Sequence, residues 1–147
     1  MEELHYLLMK THTVLNRKIS IEAAKLGLSS GQPKILDYLY KYGECNQKKI
    51  ASYCEIEQST VGSILLRMET AGLIKRCQHY GNRRSLYVSL TKKGMEMAVA
   101  MNKVFEQEDT RALKSLSEEE QIQLKSLLNK VCNSIQEDDF SKETENE

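Results

Sequence analysis

The chain has 147 residues, 40% hydrophobic and 29% charged, the make-up of a soluble globular domain long enough to bury a core. The opening MEELHYLLMKTH lacks a basic start and a long apolar run, and no stretch approaches about 18 apolar residues, which argues against a secretory signal or membrane span and predicts a cytoplasmic protein. The formal charge of zero conceals an uneven spread: residues 1–45 carry +1, residues 46–94 carry nine basic against three acidic side chains (+6), and residues 95–147 carry −7. A basic centre in a neutral chain is a candidate polyanion footprint, although a lysine-rich solvated surface has the same charge.

Apolar residues at Leu4, Leu7, Leu8, Val14, Leu15 and Ile19 predict a first helix over about 2–25, ended by Gly27. Ser29 and Ser30 are candidate caps for a second helix, with Pro33 in its first turn and Ile35, Leu36, Leu39 and Tyr40 facing inward. Asn46 caps a short third helix, QKKIASYC, and a break at Glu55-Ile56-Glu57 leads to a fourth, QSTVGSILLRMETAG. The fourth buries Val61, Ile64, Leu65 and Met68, and its N-terminal outer face presents Gln58, Ser59, Thr60 and Ser63, with Arg67 a turn further on. Together these helices make a helix-turn-helix over about 46–69. Short polar side chains on such a face suit hydrogen bonds to base edges and phosphates, and they suit plain solvation as well. Gly62, inside the fourth helix, costs about 1 kcal/mol relative to Ala, which points either to a close approach of the backbone to something there or to a tolerated weak point.

A strand-like run from Leu73 to Cys77 follows, then the turn pair Gly81-Asn82, then an alternating run from Leu86 to Leu90. Arg83 and Arg84 therefore fall at the tip of a hairpin over about 73–91. A hairpin with arginines at its tip, directly after a helix-turn-helix, is a winged helix: the second helix of the pair enters the major groove and the tip reaches the adjacent minor groove, whose negative potential favours Arg. Helical stripes over about 91–113 (Met95, Ala98, Val99, Met101, Val104, Phe105) and 118–136 (Ile122, Leu124, Leu127, Leu128, Val131, Ile135, opened by Ser117 and Glu120) exceed what a small winged-helix core covers. They predict burial against a second copy. The fold class expected is mostly α with a small β-hairpin wing, a domain over 1–137, and an acidic, disordered tail over 138–147.

Several stretches, in order, resemble the MarR-type (multiple-antibiotic-resistance regulator) family. Leu28-Ser29-Ser30-Gly31-Gln32 is similar to its L-T-x-x-Q; Gln47-Lys48-Lys49-Ile50-Ala51 to Q-x-x-[IL]-A; Ser59-Thr60-Val61 and Arg67 to Arg76 to S-T-V…R-L-E-x-x-G-L-I-x-R; and Arg83-Arg84…Leu90-Thr91-Lys92-Lys93-Gly94 to the wing arginines and closing L-T-x-x-G. The resemblance implies a two-fold dimer made by the terminal helices and a transcriptional repressor binding a pseudo-palindromic duplex operator. It also implies relief by a small phenolic or anionic effector held between the dimer helices and the DNA-binding lobe. The DNA-contacting set expected is Gln47, Gln58, Ser59, Thr60, Ser63, Arg67, Asn82, Arg83 and Arg84. The family wing usually has D-x-R; here Asn82 stands in place of the Asp, and an Asn can accept a hydrogen bond from Arg84 but without charge assistance.

Two other readings stand beside this one. A winged-helix protein-interaction module has no need of Arg83 and Arg84, or of Lys75, Arg76, Lys92 and Lys93 around them. A cysteine-based redox regulator of the family's kind uses a cysteine in the first helix, and none is there; Cys45 and Cys54 flank the third helix instead, with Cys77 and Cys132 elsewhere. Cys77-Gln78-His79 with Cys45 and Cys54 matches no standard zinc-finger spacing, so reduced cysteines and no structural metal are expected. Catalytic triads, glycine-rich phosphate loops and other cofactor motifs are missing, so neither catalysis nor a cofactor is expected.

Overall fold

A computed structural model describes residues 1–79 and 82–144, with the backbone alone for 82–85 and 139–144. In chain order the elements are α1 (Leu4–Lys25), α2 (Gln32–Tyr42), β1 (Cys45–Asn46), α3 (Gln47–Cys54), α4 (Gln58–Thr70), β2 (Ile74–His79), β3 (Asn82–Leu90), α5 (Lys92–Ala112) and α6 (Glu118–Thr144). The chain divides into two compact units, residues 1–108 and 109–147.

In the first unit, α2, α3 and α4 pack round Ile35, Leu36, Leu39, Ile50, Val61, Leu65 and Met68, all buried, and Val88 of the sheet joins them. Periodicity identifies these positions because each helix has one face to bury. Tyr40 is an exception: it is 40% exposed, on the outer side of α2. Tyr38, Tyr42 and Tyr53 instead form a ring cluster between α2 and α3, with centroids 4.7–5.5 Å apart.

The helix ends follow the turn chemistry with one correction. Asn46 Oδ1 accepts from the Lys49 N–H at 2.9 Å and caps α3, and Ser117 Oγ accepts from the Glu120 N–H at 3.2 Å at the start of α6. Neither Ser29 nor Ser30 caps α2. Its N-cap is Gly31, and the Gln32 side chain folds back so that Oε1 accepts from the Ser29 N–H at 3.1 Å. That bond stabilises the turn in the way a serine cap would, and it buries Gln32.

The sheet is antiparallel in the order β1-β3-β2, so β3 is central. β1 is two residues long and was not expected from the sequence. β3 begins at Asn82 rather than Leu86, and the ladder slips register between Gln78 and His79. Asn82 thus belongs to a strand; the Gly81 half of the expected turn lies outside the described residues.

In the second unit, α6 runs to Thr144, beyond the end expected at 136. Residues 138–144 contain neither Gly nor Pro to stop a helix, and Glu and Lys favour one. None of residues 109–138 is buried. No helix among the described residues is long and apolar enough to cross a membrane.

Candidate nucleic-acid interface

The helix-turn-helix is built from α3, a tight turn and α4. The turn rests on Glu55, which adopts a left-handed conformation (φ 53°) after the last residue of α3. Ile56 N–H returns to the Ala51 carbonyl at 3.1 Å, and its half-buried side chain packs on the core. On α4, Val61, Ile64, Leu65 and Met68 are buried, while Gln58, Ser59, Thr60, Ser63 and Arg67 are exposed on the outer side. Leu66 is 56% exposed on that same helix, an apolar surface the motif did not single out.

Gln47 stands apart from the other expected contacts. It is half-buried, and its Nε2 donates to the Gln58 carbonyl of α4 at 3.1 Å. That amide lies over Gly62: a Cβ on Gly62 would sit 3.3 Å from Gln47 Nε2. The close approach expected at Gly62 is therefore real, and the thing approached is the neighbouring helix. Gln47 and Gly62 together set the spacing of α3 against α4. Gly62→Ala should gain about 1 kcal/mol of helix propensity and lose a similar amount from the displaced amide, leaving urea unfolding nearly unchanged. In a Gln47→Ala background the same substitution should stabilise by about 1 kcal/mol. Equal effects in both backgrounds would show that the two residues are not coupled.

The wing is fastened to the end of α4 by side chains that charge counting alone would assign to DNA. Lys93 Nζ donates to the Ala71 carbonyl at 2.8 Å, a cation at the negative end of α4. Arg76 donates Nε and Nη2 to the two carboxylate oxygens of Glu69 at 3.2 and 3.4 Å, and this hydrogen bonding lowers the Glu69 pKa. Thr91 caps α5, its Oγ1 accepting from the Gly94 N–H at 3.0 Å while donating to the Gly72 carbonyl at 2.6 Å. Arg76 and Lys93 are thus structural ties. The backbone of Asn82, Arg83 and Arg84 lies in β3; their side chains are outside the described residues.

A cavity of about 420 Å³ opens between α1, the α1–α2 turn, α4 and α5. Leu15, Ile19, Ile64 and Phe105 form apolar walls, and His12, Asn16, Lys34 and Thr60 supply polar groups. Thr60 comes from the outer helix of the helix-turn-helix itself. Cys54 is buried in the core, and burial pushes its thiol up to about 11. Cys45 is likewise buried and raised by desolvation. A thiol held above its ordinary value stays protonated at neutral pH, which disfavours oxidation at either residue.

A buried three-helix core, a polar outer face on the second helix of the pair and a hairpin locked to that helix define a winged helix-turn-helix DNA-binding protein. The MarR family model matches residues 28–86. The chain is 30% identical over 141 residues to the transcriptional regulator MgrA of Staphylococcus aureus, covering 92% of each. It is 27% identical over 128 residues to the transcriptional repressor Rv2887 of Mycobacterium tuberculosis, covering 87% of this chain and 92% of that one. Among solved structures, a MarR-family transcriptional regulator of Listeria monocytogenes complexed with a 26mer DNA superposes with a TM-score of 0.88 at 25% identity, covering 94% of this chain and 92% of that one. The chain belongs to the MarR family of transcriptional regulators.

Proposed function

We propose that this chain is a repressor that binds a pseudo-palindromic duplex operator as a two-fold dimer and releases it when a small effector binds. The observation that carries the reading is α4, with every inward position apolar and buried and Gln58, Ser59, Thr60, Ser63 and Arg67 all exposed opposite them. These five are assigned to the major groove, and Arg84, with Asn82 beside it, to the minor groove. Arg83 is assigned to phosphate. Gln47 acts from behind, by holding α4 at its angle through the Gln58 carbonyl. α1, α5 and α6 are assigned to the dimer, and a cytoplasmic location follows from the role. The residues support no catalytic reading, and the related proteins MgrA and Rv2887 are regulators.

The effector reading rests on the cavity beside Thr60. Its volume of about 420 Å³ suits a small aromatic acid or phenol, with Lys34 and His12 for an anionic group and Phe105 and Leu15 for a ring. A ligand wedged there shifts α4 relative to α1 and so changes the operator fit.

Titration of genomic fragments at two salt concentrations tests the reading. Affinity should fall steeply with salt, as neutralisation of several phosphates requires. Arg84→Ala should weaken operator binding by about 1–3 kcal/mol and spare binding to random DNA. Arg83→Ala should cost less and act on both DNAs alike. Equal losses at the two positions on both DNAs would make the wing a non-specific clamp. Salt-independent or absent binding to every fragment would move the chain to a protein-interaction role.

A further inference from the structure

We infer that Glu44, Cys77 and His79 form a zinc site on the sheet, toward the outer end of β2. One carboxylate oxygen, one sulfur and one imidazole nitrogen lie within 4.8 Å of one another, all three residues exposed. Sequence spacing offers Cys45 and Cys54 as partners for Cys77 and His79, but both are buried in the core. The partner that the fold supplies is the residue before Cys45. Glu44 lies at the entry to β1, while Cys77 and His79 are alternate residues of β2, so ligands from two segments far apart in sequence converge on one side of the sheet.

The arrangement already has the features of a ligand set. His79 stacks face to face on Tyr87 of β3, with centroids 3.6 Å apart and planes 6° from parallel, which fixes the direction of Nε2. That nitrogen hydrogen-bonds Glu44 Oε1. Sulfur, imidazole and carboxylate are the donors that zinc takes, at about 2.3, 2.0 and 2.1 Å, with water in the fourth position. Such bonds place ligand atoms roughly 3.5 Å apart, so the hydrogen-bonded Glu44 oxygen and His79 nitrogen have to part and the Cys77 sulfur to close in, each by about 1 Å, within reach of exposed side chains. On binding, zinc replaces the Glu44–His79 hydrogen bond, the Cys77 thiol loses its proton to solvent and the imidazole binds as the neutral base.

The metal would join β2 of the wing to the segment that leads from α2 into β1 and the helix-turn-helix. The site stands without reference to DNA, so its test uses no DNA. The full chain, stripped of metal by a chelator, is titrated with Zn²⁺ against a chromogenic chelator, and with Co²⁺ to read the thiolate-to-cobalt absorption band. A single saturable equivalent and a thiolate band are expected. Cys77→Ser should abolish the band and weaken Zn²⁺ by at least about 10-fold, with comparable weakening for Glu44→Gln and for His79→Asn. Cys132→Ser, at the other exposed thiol, should change neither. No saturable binding, a band that survives Cys77→Ser, or one that is lost with Cys132→Ser would overturn the proposal.

Discussion

Gly94→Ala should be among the most destabilising single-methyl changes available in this chain, on the order of 3 kcal/mol. A Cβ at Gly94 would overlap the carbonyl oxygen and carbon of Leu73, and Leu90 Cδ2 stands 3.2 Å away. Neither side can yield cheaply. Leu73 and Ile74 are 4% and 2% exposed, and the same Leu73 carbonyl accepts from the Thr91 N–H at 3.1 Å. Relieving the clash means lifting the start of α5 away from the strand, which breaks the Thr91 bonds to Gly72 and Gly94 as well. Thermal unfolding should show a fall in Tm on the order of 10 °C for a chain of this size. Gly27→Ala is the comparison: a Cβ there meets nothing within 4 Å, so only the strain of its φ of 79° remains, about 1–2 kcal/mol. If the two variants melt together, the close packing of Gly94 on Leu73 is not what holds α5 to the wing.

That contact also explains the glycine at position 94, which the sequence could mark but not explain. Helices were legible because burial imposes a period: Val61, Ile64, Leu65 and Met68 repeat at helical spacing, and all four are buried. β1 was not legible, since two residues carry no alternation. The outer face of α4 was read correctly as a face. What side chains do across elements is another matter, because it depends on distances the sequence does not carry. Gln47 carries the polarity of a DNA contact, yet its amide reaches the Gln58 carbonyl. Arg76 and Lys93 count as basic footprint, yet Glu69 and the Ala71 carbonyl hold them. The net +6 of the central segment is unchanged by the Arg76–Glu69 pair, since Glu69 is already among its three acids, but one guanidinium and one ammonium are engaged within the fold. Gly62 was the useful local signal, since a helix tolerates the cost of glycine where something sits close above it.

Leu127→Glu and Leu128→Glu together should convert the proposed dimer to monomer or to unfolded chain. α6 places Leu124, Leu127, Leu128, Val131 and Ile135 along one side at helical spacing. Leu127, Leu128 and Ile135 are 59%, 44% and 59% exposed in the isolated chain. Leu4, Leu7, Leu8 and Val14 of α1 are exposed too. Side chains of this size contribute about 1.5–3 kcal/mol each when fully buried, so even with these half-exposed, leaving both rows in water forgoes an amount comparable with a typical domain's whole stability. A second copy is the economical cover. Two glutamates per subunit in that cover would each lose hydration without a cation to replace it, at a cost of several kcal/mol. Sedimentation at micromolar concentration should then report a species of half the mass, and operator binding should weaken because two half-sites are no longer read together. Asn133→Glu, on the opposite side of α6 at 100° per residue, adds a charge without touching the row and should leave the dimer intact. A stable dimer in the double variant would remove this face of α6 from the interface and leave α1 as the element to test next.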